Sequence, residues 1–510
     1  MGEAKRRGQK QTLAVSEALG VETAGGRVQV RWDDQAAATP FGQMVFFIEF
    51  LTLTGLLDHW VENCPLAYHG AHRSSQRDIL GTWLLSMLSG HRRYAHIAAI
   101  RADGVSADLL GMSQVVSEDT VRRALKALDE TAGTQWLQGH LDASIQPYLS
   151  APWICDVDVT IKPLYGKQEG AVIGYNPKKP GRPSHAYHTY QMAGLRLILG
   201  VDVEPGNETH ANHTLPGLLR CLDRLPHHQQ PKLVRGDSGF GLGPVMEGLE
   251  SRQIPYLFKL RLTKNVKRTI QQIFWGEEWS RAGQGWEGRE GTLALSGWTK
   301  PRRVVVLRRP LRGDLLLADD EQQLSLAFIE PDVPTKRYEY AVLVTDLPHE
   351  VLTIAQWYRD RADSENTFDE LKNQWGWGGF TTQDLKRCRL SAMGVALVYN
   401  WWSLFVRLTN PKARREAITS RPFLLSGVGR KTTHAGQKHL VITALHGEGQ
   451  KAMAMLTSVS RLLKTWQRIA EQSPLETIWQ QACAYLAKLI TGVNWLRPLE
   501  CLLLGPPDTG

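Results

Sequence analysis

At Trp153 the hydrophobic pattern changes period, and this switch limits the folds open to the chain more than any other feature. Before it, residues 41 to 145 place apolar side chains at helical spacing with few strand signals. After it come apolar runs of strand length, at Ile154–Ile161, Leu195–Val203 and Lys232–Asp237, with a helical stretch near Leu215–Leu225. Strands alternating with helix predict an α/β core that follows a helical region.

Further on, Arg303–Leu307, Leu324–Ile329 and Tyr338–Thr345 read as strands separated by Gly and Pro turns. Helices resume at Thr353 and run to the end, apart from a Gly-, Arg- and Lys-rich stretch at 410–440 that reads as loop. At 510 residues, 42% hydrophobic, the chain is long enough for several structural units. The expected division is an N-terminal helical, DNA-binding region (1–150), the first part of an α/β core (151–258), an inserted β-rich basic domain (259–347), the rest of the core (348–408) and a C-terminal helical region (409–510). Ser117-Glu118-Asp119 is a capped helix start. With Gly111–Ser117 and the basic Arg122, Arg123 and Lys126, it fits a helix-turn-helix as well as it fits a surface helix with solvated charges.

The net charge of +9 favours a polyanionic partner, nucleic acid first. Residues 259–312 hold thirteen Lys or Arg against four Glu, an excess equal to that of the whole chain, together with Trp275, Trp279, Trp286 and Trp298. That mixture suits phosphate contact with base stacking, so Arg302, Arg303, Arg308 and Arg309 are candidate DNA contacts; solvated charges over core tryptophans are the other reading. The six cysteines show no CxxC pair, which predicts a reducing, cytoplasmic setting. The basic start MGEAKRRGQK lacks an apolar stretch, so no secretory signal is expected. Glu49 interrupts the apolar run Met44–Leu57, and Asn400, Ser403 and Arg407 interrupt Leu390–Leu408; both read as buried helices, with no membrane partner.

Three places carry chemistry. On the strand around Asp158, alternation puts Asp156, Asp158 and Thr160 on one face, where carboxylates need a metal, a pairing partner or solvent. Asp237 closes an apolar strand in Arg-Gly-Asp-Ser-Gly-Phe-Gly, and ligand sites favour the carboxyl ends of strands. On a predicted helix Tyr358, Arg361, Glu365 and Lys372 fall within roughly a 60° arc, so one stripe presents two cations and a Tyr around one acid. Such a stripe can hold a phosphodiester beside a metal-binding carboxylate.

That last spacing, Tyr-x2-Arg-x3-Glu-x6-Lys, resembles the signature of DDE transposases from bacterial insertion sequences. Asp158-Val-Thr160 is similar to the family's first catalytic Asp with its following hydroxyl residues. The segments Tyr165-Gly-Lys-Gln-Glu-Gly-Ala171, Gly174-Tyr-Asn-Pro-Lys178 and Gly181-Arg-Pro-Ser184 are similar to the stretch that follows in one subgroup. The resemblance covers about residues 150 to 400. It implies an RNase H-like fold with a β domain between the second Asp and the Glu, a metal-binding triad of Asp158, Asp237 and Glu365, and DNA contacts from Tyr358, Arg361 and Lys372. It implies two Mg2+ ions, for which Mn2+ can substitute, cut-and-paste transposition of double-stranded transposon ends into target DNA, a homodimer in the synaptic complex, and a bacterial, nucleoid-associated location.

A rival metal site is offered by His185 with His188 and His210 with His213, but hard Mg2+ with carboxylates is the better match to the acids. The rival functions are an RNase H-like nuclease of repair or recombination and a domesticated DNA-binding protein without catalysis.

Overall fold

The computed structural model describes residues 18–33, 36–67, 74–176, 179–208, 213, 215–275, 278–311, 338–380, 382–411, 414–445, 447–472 and 477–491. The chain starts with β1 (Leu19–Thr23), β2 (Gly26–Val30) and β3 (Ala37–Thr39), followed by helices α1 (Met44–Leu53), α2 (Leu56–Glu62), α3 (Gln76–Leu88), α4 (Gly104–Leu109), α5 (Glu118–Ala127) and α6 (Glu130–Ile145). Then come β4 (Ile154–Pro163), β5 (Val172–Ile173), β6 (Pro183–Met192), β7 (Leu197–Pro205), α7 (Leu215–Asp223), β8 (Leu233–Gly236), α8 (Gly243–Glu250), β9 (Tyr256–Lys259) and α9 (Lys264–Phe274). Strands β10 (Ser280–Gly283), β11 (Trp286–Leu293), β12 (Arg302–Pro310) and β13 (Tyr338–Thr345) lead into α10 (Val351–Arg359), α11 (Ala362–Asn373), α12 (Leu385–Thr409) and α13 (Ala417–Leu425). A hairpin of β14 (Gly429–His434) and β15 (Gln437–Ile442) precedes α14 (Gly449–Gln472) and α15 (Ile478–Thr491).

Among the described residues ten strands form one mixed sheet, in the order β10-β11-β12-β13-β9-β8-β4-β6-β5, with β7 also paired to β6. Strands β4, β8 and β9 run parallel, while β6 is antiparallel to both β4 and β7. The α/β expectation for residues 153–258 therefore holds. Of the expected β-rich insertion, the described strands do not form a separate sheet. They continue the central one, with Leu343–Thr345 of β13 paired to Leu257–Lys259 of β9. An open edge of β9 would leave backbone donors and acceptors unpaired, and β13 covers it. The strand expected at Leu324–Ile329 lies outside the described residues.

The two terminal regions are likewise joined. Gly429–Lys431 of β14 pair with Ala37–Thr39 of β3, and α13 and the β14–β15 hairpin occupy the stretch read as loop. The capped start is found where expected, with Ser117 Oγ accepting from Thr120 N at 3.2 Å. Arg122 and Arg123 on that helix lie 3.2 and 2.6 Å from Asp119.

The apolar run Leu390–Leu408 lies in the buried helix α12. Its polar interruptions are used by the sheet. Asn400 accepts from Ile198 N (2.8 Å) and donates to Ile198 O (2.9 Å), so one side chain satisfies the edge of β7. Arg407 donates to the carbonyls of Gly194 and Leu195 at 3.1 Å. Among the described residues no single helix is long and apolar enough to cross a membrane; α1 and α2 pass that test only together, across a 68° bend.

Gly394 sets how closely α12 approaches α3. A Cβ there would lie 2.2 Å from the Trp83 ring. Gly394→Ala gains about 1 kcal/mol of helix propensity but overpacks a filled site at about 1–3 kcal/mol. We expect a lower urea midpoint for the variant.

Candidate active site at the strand ends

The site is built where β8 ends beside the middle of β4. Their parallel register pairs Asp156 with Arg235 and Val157 with Gly236, so Asp158 and Asp237 each stand one residue past the last pair. Gly236 is required there, because a Cβ would meet the Phe240 ring at 2.7 Å. The turn after it is fixed by Gly239 N donating to Asp237 Oδ1 at 3.0 Å.

The two carboxylates expected on one face of β4 have different fates. Asp156 is 1% exposed; its oxygens accept from Arg235 Nε at 2.7 Å and Nη2 at 2.8 Å, and Ser364 Oγ donates to Oδ2 at 2.5 Å. It is fully engaged inside the protein. Asp158 accepts from its neighbour Val159 N at 2.7 Å and from Arg361 Nη2 at 3.0 Å. Burial, reinforced by the charges of Asp237 and Glu365 and opposed by Arg361, pushes its carboxyl up to about 6.

The single helical stripe expected for Tyr358 to Lys372 is corrected. The helix breaks at Asp360 and Arg361, leaving Tyr358 on α10 and Glu365 and Lys372 on α11. In an unbroken helix Arg361 N would donate to Trp357 O. Arg235 Nη1 takes that carbonyl at 2.5 Å, and Arg361 N turns to Tyr358 O at 3.1 Å. One buried arginine thus neutralises Asp156 and sets the bend that aims Arg361 at Asp158.

Arg361 bridges the acids, with Nη1 3.5 Å from Glu365 Oε1. Glu365, in the first turn of α11, keeps a side chain 70% exposed. The Tyr358 hydroxyl is pushed up to about 12 by burial, and the charges of Arg361, Asp237, Glu365 and Asp158 all act on it. The fold thus brings Asp158, Asp237, Glu365, Tyr358 and Arg361 together. Lys372 lies two helical turns beyond Glu365, about 10 Å along the axis, with Nζ 3.4 Å from Ile161 O.

The chain matches the family model for the transposase DDE domain, group 1, over residues 42–423. It belongs to that transposase family. A cryo-EM structure of a piggyBac transposase synaptic complex with hairpin DNA aligns with 94% of this chain and 89% of that one, at 11% identity and a TM-score of 0.38. No curated protein matches the chain.

The candidate donors of this transposase suit a hard divalent cation, because they are carboxylate oxygens. At present the Arg361 guanidinium is the cation between Asp158 and Glu365, and among the described residues no group of three or more His, Cys, Asp or Glu is arranged to hold a metal as it stands. Of the four histidines, His188 and His213 come together, with ring centroids 4.4 Å apart and His213 Nε2 2.9 Å from Asp202; His185, three residues from His188 on β6, points to the opposite face, and His210 lies outside the described residues.

The four arginines of β12 divide between two faces. Alternation sends Arg302 and Arg308 to one side and Arg303 and Arg309 to the other, and each meets an acid. Arg302, with its side chain 2% exposed, lies 3.1 Å from Glu250, Arg303 2.5 Å from Glu290, Arg308 2.9 Å from Glu287 and Arg309 2.6 Å from Glu339. Arg308 also lies over the Trp279 ring at 3.8 Å. Arg302 is buried on Glu250, whereas the side chains of Arg303, Arg308 and Arg309 keep 23, 14 and 46% of their surface exposed.

Sequence reasoning passed over Arg235. The available signal was an arginine in the apolar run before Gly236-Asp237, at the position that the parallel register sets against Asp156.

Proposed function

We propose that the chain is a DNA transposase that cuts double-stranded DNA at the ends of its element and joins the freed ends to target DNA. The observation that carries this reading is the meeting of Asp158 and Asp237, from neighbouring parallel strands, with Glu365 across the Arg361 guanidinium. The order β7-β6-β4-β8-β9, with β6 alone antiparallel, supports an RNase H-like core.

Asp158, Asp237 and Glu365 would hold Mg2+, as two ions, with Mn2+ able to replace it. Bound there, the metal supplies charge that activates an attacking hydroxyl and offsets charge on the scissile phosphate. Arg361 and the Tyr358 hydroxyl donate to phosphate oxygens and fix the bond in line for attack, and Lys372 grips the backbone further along the strand. Water attacks phosphorus and the bond to the 3′ oxygen breaks, leaving a 3′-hydroxyl and a 5′-phosphate. That hydroxyl then attacks a target phosphodiester and displaces a target 3′ oxygen. No covalent protein intermediate is needed. The N-terminal helices and the sheet extension flank the DNA, and the C-terminal region from about residue 409 pairs two subunits in the synaptic complex. The element is a bacterial insertion sequence of the Tyr-Arg-Glu-Lys subgroup, and the protein acts at the nucleoid.

The test is an Mg2+-dependent strand-transfer assay with the element's own ends and a circular target. Joined products are expected. Cutting without joining would instead mark a repair or recombination nuclease, and binding without cutting a domesticated DNA-binding protein.

A further inference from the structure

The segment between β4 and β6 takes no part in the chemistry above, yet it is firmly built. Leu164 N donates to Pro183 O and Glu169 N to Gln383 O, both at 2.8 Å, and Glu169 Oε2 accepts from Leu385 N at 3.0 Å. A Cβ on Gly174 would fall 1.7 Å from Gly206 O, and one on Gly206 would fall 2.4 Å from Ser184 O, so the segment lies directly against the backbone after β7. Gly170 and Gly181 take φ of 72° and 73°, the left-handed region that favours glycine.

This rigid frame presents aromatic rings to solvent. Tyr165 is 68% exposed and Tyr175 64%. Each carries cations: Lys179 and Arg182 lie 5.0 and 4.9 Å from the Tyr165 ring, and Arg261 lies 5.6 Å from the Tyr175 ring. Residues 164–183 hold four Lys or Arg and one acid, Glu169, whose carboxylate is already engaged. Tyr175 and Arg261 line a cavity of about 320 Å3 with Val159, Ile161, Ser238 and Glu208. Val159 follows Asp158 and Ser238 follows Asp237, so the cavity opens beside the acids, on the opposite face of β4.

Exposed, preorganised aromatic rings bracketed by cations suit unpaired nucleotides, which stack on the rings while the cations meet their phosphates. A fully paired helix hides its base faces and offers only backbone and base edges. We propose that Tyr165 and Tyr175, with Lys179, Arg182 and Arg261, form a platform for a single DNA strand that leaves the catalytic acids unpaired. The platform rests on the transposase reading and adds to it a substrate form, DNA locally opened at the cut.

The test measures binding of the full chain to labelled end duplexes, fully paired or carrying a short single-stranded overhang. The parent should prefer the overhang. Tyr165→Ala with Tyr175→Ala should lose that preference, by roughly five- to a hundredfold, while binding of the paired duplex stays unchanged. Tyr175→Trp with Tyr165→Phe should retain it, because the rings remain. Equal loss on both duplexes, or no loss on either, would overturn the platform. A parent that binds and cuts paired ends without preferring the overhang overturns the platform and leaves the transposase reading standing, whereas a parent that binds neither DNA removes both.

Discussion

Asp158→Asn and Glu365→Gln should each reduce cutting of end DNA by about a hundred- to a thousandfold while binding of the same DNA persists. Both substitutions preserve shape and remove one carboxylate charge from the proposed metal site. Binding depends on phosphate contacts from other groups and is not expected to follow. Asp369→Asn is the control. Asp369 sits on the same helix as Glu365 but, among the described residues, accepts only from the exposed Asn373 amide, at 2.6 Å, and its loss should leave cutting unchanged. Asp363 is a poor control, since its carboxylate accepts from Arg196 Nε at 2.9 Å and the substitution would disturb packing. Gel assays of nicking and of end binding, run side by side on the three variants, check this. If Glu365→Gln cuts normally while Asp369→Asn does not, the acid has been assigned to the wrong residue of α11.

Arg235→Met should destabilise the protein by about 3–5 kcal/mol, the cost of leaving a buried carboxylate without its partner. Arg235 is 2% exposed and Asp156 1%, so no water replaces the lost donors. Adding Asp156→Leu should return most of that stability, because the uncompensated charge is then gone. Urea unfolding of the single and double variants reads this directly. The double variant has a second expected property. Without Arg235 the Trp357 carbonyl is free to take Arg361 N, α10 and α11 can fuse, and Arg361 swings away from Asp158. Recovered stability with depressed cutting would show that the arginine positions the site as well as supporting the fold. Recovery of both would mean that the bend between the helices has another cause.

Short-range features were legible in the sequence because each depends on a few neighbouring residues. Alternation along Ile154–Ile161 placed Asp156 and Asp158 on one face, Ser117 marked the start of α5, and β13 occupies the predicted Tyr338–Thr345. The residues of the Tyr-Arg-Glu-Lys spacing were visible for the same reason. What stayed hidden was every choice made by a partner distant in the chain. Nothing local to Asp156 says that Arg235 will pair it and leave Asp158 with Arg361, because strand register selects those partners across 79 and 203 positions. Nothing local to Trp357 says that its carbonyl is taken, so the helical period ran on through a bend that the tertiary structure imposes. The basic stretch at 302–309 looked like a DNA-binding face because charge counts carry no direction. Only the pleat of β12 decided that those arginines divide between two faces, and only tertiary packing that each meets a glutamate.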